Sequence, residues 1–197
     1  MVSFYTHSDK WNTLANRLGT TQHLSPLLMK AKRLGFKSPE DLERLAVLRG
    51  LRYYDPYGDS VAPFAGQAHP PKPLFADSFT NEELAVALLS PVTPYSMQRL
   101  RMSAAMMAAD GNNPKIITRL AKWERSESIV RHIASCGQQA EPDNPFWSHL
   151  LEELPESPPH PDDALPHLSR FVAMTGLTRA GKGSLMKWIR PAKIQYS

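Results

Sequence analysis

Five times in this chain a residue with a short polar side chain stands directly before proline: Ser25-Pro26, Ser38-Pro39, Thr93-Pro94, Asn113-Pro114 and Asn144-Pro145. The first amides of a helix lack internal partners, and a Ser, Thr or Asn oxygen at the N-cap accepts from one of them. Proline at the first helical position has no amide to leave unpaired and a φ already suited to the helix. A chain that repeats this start signal is set up to fold as many short helices. The sequence predicts an all-α protein.

The residues behind those signals follow the helical period. Ser25 to Leu34 ends at Gly35, and Leu24 is placed to staple onto Met29. Ser38 to Arg49 lines up Leu42, Leu45, Ala46 and Arg49 and stops at Gly50. Thr80-Asn81-Glu82-Glu83 forms a capping box opening Leu84 to Leu89. Thr93 to Asp110 sets Met97, Leu100, Ala104 and Met107 on one face; with Met102 and Met106 they read as core packing before an adaptable binding surface. Asn113 to Cys136 carries Ile116, Ile117, Leu120 and Trp123 on one stripe. Ile129, Val130, Ile133 and Ala134 form a second stripe, shifted by about one residue, so a break is predicted near Ser126. Pro145 to Leu154 adds a helix with Trp147 and Leu151 at i,i+4. The expected fold is an irregular bundle of about seven or eight short helices.

Of the 18 prolines, the helix starters account for five, and ten more gather in residues 52–79 and 155–166. Those stretches read as two proline-rich irregular connectors. The expected organisation is an N-terminal helical hairpin (1–51), a Pro/Tyr-rich connector (52–79), a main helical bundle (80–154), and an acidic Pro-rich loop followed by a basic C-terminal segment (155–197). Strand patterns are scarce, and Arg170 to Thr175 is the best of them.

Cys136 is the only cysteine, so no intramolecular disulfide can form. The N-terminus lacks a basic region followed by an apolar one, and no run of about 18 uncharged apolar residues occurs. A soluble, cytoplasmic protein with no membrane partner is expected.

The net charge of +4 hides adjacent blocks. Residues 139–163 contain seven acids and no Lys or Arg, whereas residues 164–197 contain six basic residues and no acid. The basic block holds Arg179, Lys182, Lys187, Trp188, Arg190 and Lys193. Basic residues interleaved with an aromatic can track phosphates and stack a base. The rival is internal: the acidic block folds back onto the basic one.

Other chemistries lack their context. Gly176 to Ser184 matches G-x-x-x-x-G-K but has Gly183 where a magnesium-binding hydroxyl belongs. His132 and Cys136 lie at i,i+4, which suits a thiolate and its base, yet a buried structural thiol is the plainer reading. The seven histidines show no paired ligand spacing, so no metal and no cofactor are expected. Helices 25–34 and 38–49 have helix-turn-helix spacing. The second helix, however, opens on Glu40 and Asp41, which phosphates repel, so a simple helical hairpin is favoured. Lys30, Lys32, Arg33 and Lys37 could still touch a nucleic-acid backbone. Asn113 to Cys136 resembles one helical-repeat unit in layout, without a second copy.

The resulting expectation is a non-enzymatic helical binding or adaptor module acting through protein–protein contacts, with Tyr53, Tyr54 and Tyr57 on its partner surface. The alternative is a nucleic-acid-binding subunit using the basic faces around Trp188 and Lys30–Lys37. A helical enzyme with a site near His132, Cys136 or Lys182 is the third reading.

Overall fold

The computed structural model of this chain describes residues 13–21, 23–54, 60–61, 79–157, 160–161, 164–165 and 187–189. Among them are eight helices: α1 (Leu14–Leu18), α2 (Pro26–Arg33), α3 (Pro39–Leu48), α4 (Asn81–Ala87), α5 (Met97–Met107), α6 (Pro114–Glu124), α7 (Glu127–Ala140) and α8 (Pro145–Glu153). Three short strands accompany them: β1 (Arg52–Tyr54), β2 (Ser60–Val61) and β3 (Lys187–Ile189). The protein is an all-α bundle of short helices.

Four of the five proline signals start helices. Ser25 Oγ accepts from Leu28 N at 3.1 Å, Asn113 Oδ1 from Lys115 N at 3.0 Å and Asn144 Oδ1 from Phe146 N at 3.1 Å. At α3 the Asp41 carboxylate reaches back to the amides of Lys37 and Ser38, at 2.8 and 3.1 Å. The capping box at α4 forms as well, with Glu83 Oε2 accepting from Thr80 N and Thr80 Oγ1 from Glu83 N.

The fifth signal fails. Thr93-Pro94 does not open α5, because its hydrogen-bonding groups are committed elsewhere. Thr93 O accepts from Leu14 N at 3.0 Å, Thr93 Oγ1 donates to Ser90 O, and Pro94 forms an isolated antiparallel bridge with Thr13. The helix starts three residues later, where Ser96 Oγ accepts from Arg99 N. The partner strand for this bridge leads into α1, a helix not foreseen from the sequence and capped by Thr13 Oγ1.

One hydrophobic core runs from Leu14 to Ala164, so the N-terminal helices and the later ones share it. Two stretches of it are buried without a break, Leu84 to Thr93 and Met102 to Ala109. The second half of α5 thus lies inside the core, and α3 and α4 pack on this helix. The methionine stripe is therefore interior. At its end Asn112 donates from Nδ2 to the carbonyls of Met106 and Met107. The break near Ser126 is present: Arg125 adopts φ 50° and ψ 40°, ending α6, and α7 begins at Glu127.

The strands form an antiparallel sheet in the order β2-β1-β3. Sequence reading placed its best strand at Arg170–Thr175, which lies outside the described residues. Elements of two or three residues carry no readable period, and this ladder joins positions far apart in the chain.

Candidate functional site

The phase of α6 depends on its last residue. Glu124 is fully buried, with Oε2 accepting from Ser25 Oγ at 2.5 Å and Oε1 from Leu27 N at 2.6 Å. The carboxylate thus satisfies a free amide at the start of α2 from across the fold. Burial raises its pKa, and the hydrogen bonds from Ser25 and Leu27 oppose that rise. Ile117, Leu120 and Ala121 complete the inward stripe. This corrects the stripe expected from sequence, in which Trp123 faced inward. A carboxylate holding two donors takes the buried place, and Trp123 is left 58% exposed.

The opposite face of α6 is a row of cations beside an aromatic. At about 100° per residue, Lys115, Arg119 and Lys122 fall within about 60° of one another, with Trp123 on their flank. All four are exposed, as is Arg125 just past the helix end. The Arg119 guanidinium stands over the Trp123 ring, 5.5 Å from its centroid. Among the described residues none of Lys115, Arg119, Lys122 and Arg125 takes part in an ion pair. At the start of the helix the Glu82 carboxylate is in contact, its Oε1 accepting from Asn113 N at 3.2 Å.

The junction with α2 forms the edge of this surface. Leu24, next to Ser25, is 69% exposed. His23 is half-buried, and its pKa is lowered by burial and then by the Arg125 charge. The Ser25–Glu124 bond therefore has an exposed apolar side chain on the neighbouring residue of each partner.

The residues singled out from sequence are placed as follows. Lys30 Nζ holds both oxygens of Glu83, at 2.8 and 2.7 Å, and lies over the Phe79 ring. Lys32, Arg33 and Lys37 are exposed. Tyr53 and Tyr54 lie in β1, paired in register with Trp188 and Lys187 of β3. The backbone thus brings together one pair from the expected partner surface and one from the expected nucleic-acid surface. Tyr57, Arg179, Lys182, Arg190 and Lys193 lie outside the described residues, as does the G-x-x-x-x-G-K stretch.

Cys136 Sγ lies 3.7 Å from His132 Nε2, but burial pushes the thiol up to about 11, far from the thiolate a nucleophile needs. Among the described residues no group of three or more His, Cys, Asp or Glu could hold a metal ion. Glu43 and Arg99 form a buried pair between α3 and α5, Oε1 to Nε at 3.0 Å.

Comparison with protein-family models, curated proteins and solved structures finds no match to this chain. Among the described residues no helix is long and apolar enough to cross a membrane. Sequence reasoning missed the α6 face, although its signal was present. Lys115, Arg119 and Lys122 recur at i, i+4 and i+7 with no acid between them.

Proposed function

We propose that this chain is a non-enzymatic binding module, a subunit of a larger assembly, that engages an anionic partner through the outward face of α6. The observation that supports this reading is the exposed Trp123 beside three cations with no carboxylate partner among the described residues. An indole in water forgoes the stabilisation that burial gives the core residues, and tryptophan and arginine are both enriched at binding hot spots. Unpaired like charges along one helix face gain most from a ligand of opposite sign.

The test is purification from the native cell, recording the co-eluting macromolecule and the ratio of absorbance at 260 to 280 nm. The Lys115→Glu/Arg119→Glu/Lys122→Glu variant should elute without that partner while keeping its far-UV circular dichroism. Retention of the partner by the folded variant would count against this surface.

The register of β1 on β3 favours a second contact region, since it joins Tyr53 and Tyr54 to Lys187 and Trp188. Alanine at Tyr53, Tyr54 and Tyr57 should then weaken partner capture with helicity intact. Unchanged capture would remove this region from the interface.

A further inference from the structure

The α6 face carries more than a preference for negative charge. Resting on the reading above, we infer that its anionic partner is a single-stranded nucleic acid, with phosphates along Lys115, Arg119 and Lys122 and a base stacked on Trp123.

The spacing is that of a track. At about 1.5 Å per residue, Arg119 lies about 6 Å along the axis from Lys115, and Lys122 about 4.5 Å further. Three cations along about 10 Å of exposed helix, with Arg125 just past its end, offer successive contacts to a strand bearing one negative charge per nucleotide. Glu82 at the start of the helix bounds the track, because its carboxylate repels phosphate.

Trp123 supplies what charge alone does not. Every base has a π-face, and an aromatic beside a basic row binds single strands by stacking. Bases within a duplex are already stacked on one another and have no face to offer. A polyglutamate chain has charge but no ring. Arg119 covers one side of the indole at 5.5 Å, and at 58% exposure the ring remains open to a planar ligand. A base there would lie in a stack that includes the guanidinium.

The surface is also held in place before any ligand arrives. Glu124 sits one residue from Trp123, fully buried, with bonds to Ser25 and Leu27 fixing the rotation of α6. A helix so pinned loses little freedom on binding.

The experiment measures fluorescence anisotropy of the full chain with four labelled probes: oligodeoxythymidylate and oligouridylate of about 16 nucleotides, a blunt duplex of equal length, and polyglutamate. Single strands should bind most tightly, with affinity falling steeply as salt rises. Trp123→Ala should weaken single-strand binding by about fivefold to a hundredfold and leave duplex binding unchanged. Trp123→Phe should keep most of the affinity. Comparison of the two oligonucleotides assigns the strand as DNA or RNA.

The inference is overturned if neither oligonucleotide binds at low salt, if duplex or polyglutamate binds as tightly as a single strand, or if Trp123→Ala changes nothing. Should the triple charge reversal abolish every probe while Trp123→Ala affects none, the anionic-partner reading survives and the single-strand inference fails. Should the folded triple variant bind all probes like wild type, both fail.

Discussion

The indole of Trp147 occupies the space that any side chain on Gly137 would need. A Cβ built at Gly137 would meet Trp147 Cε2 at 2.5 Å and Cε3 at 2.7 Å, far inside contact distance. Glycine in a helix interior costs about 1 kcal/mol relative to alanine, so α7 accepts a local penalty that lets α8 approach. The ring cannot slide aside freely, because its Nε1 donates to Glu141 Oε2 at 2.9 Å.

Gly137→Ala should therefore destabilise the protein by about 1–3 kcal/mol in urea unfolding, the usual range for an overpacked core. In a Trp147→Leu background the clash is absent, and the same change should become neutral or stabilising by up to about 1 kcal/mol through helix propensity. Equal costs in the two backgrounds would show that the contact does not set the packing of α7 on α8.

Glu124 gives the stability a particular pH dependence. Its folded pKa is raised above the usual value of 4.5, so the folded chain holds the proton more tightly than the unfolded one. The resulting stability is fully present below the unfolded pKa and is lost as pH rises through the folded value. Glu124→Gln should remove this contribution to the slope while keeping an acceptor for Leu27 N. Glu124→Ala should cost at least about 2 kcal/mol, since the Leu27 amide is left buried without its partner. Thermal melts of all three proteins from pH 4 upward would check both statements; parallel curves for wild type and Glu124→Gln would refute the first.

The Arg99–Glu43 pair joins α3 to α5 in a buried setting, supported by Gln98 Nε2 donating to Glu43 Oε2 at 3.3 Å. Burial raises the pKa of Glu43, and Arg99 is the main opposing influence. Arg99→Met alone should cost about 3–5 kcal/mol, because it strands a buried carboxylate. Combining it with Glu43→Leu should restore much of that loss. Additive costs in the double-mutant cycle would mean that the two side chains are not energetically coupled.

Cys136 should be chemically quiet. With the thiol at about 11 instead of 9.0, its thiolate fraction at neutral pH falls by about a hundredfold, and burial blocks the approach of a reagent. Iodoacetamide should label it at a rate set by unfolding, rising to that of a free thiol in denaturant. Rapid labelling of the native chain would contradict the buried geometry.

Local signals made most of the fold legible. Ser25-Pro26, Ser38-Pro39, Asn113-Pro114 and Asn144-Pro145 could be read because cap chemistry involves only neighbours in the chain. Thr93-Pro94 carries the same two residue types and failed, since Leu14, some eighty positions away, takes the carbonyl that would have opened the helix. Trp123 was misassigned for a related reason. A glutamate at the end of a helix reads as solvated, and only Ser25 and Leu27 reveal why Glu124 is inside. The Lys30–Glu83 ion pair, between residues more than fifty positions apart, is likewise invisible to local pattern. Each failure comes from a tertiary partner that periodicity cannot show. The candidate site lay within that blind spot, because moving Glu124 inward is what turned Trp123 out.

The pairing of Tyr53 with Trp188 has a bearing on how the chain assembles. It closes a loop that contains α4 to α8, so its two strands can meet only after a large entropic cost has been met. Helices form and dock through nearby contacts in far less time than such distant strands need to find their register. The native ladder should therefore be a late event in folding. Until it forms, β1 and β2 make a two-stranded ribbon too small to persist by itself. During synthesis the helices α1 to α8, which end at Glu153, can form while β3 is still inside the ribosome.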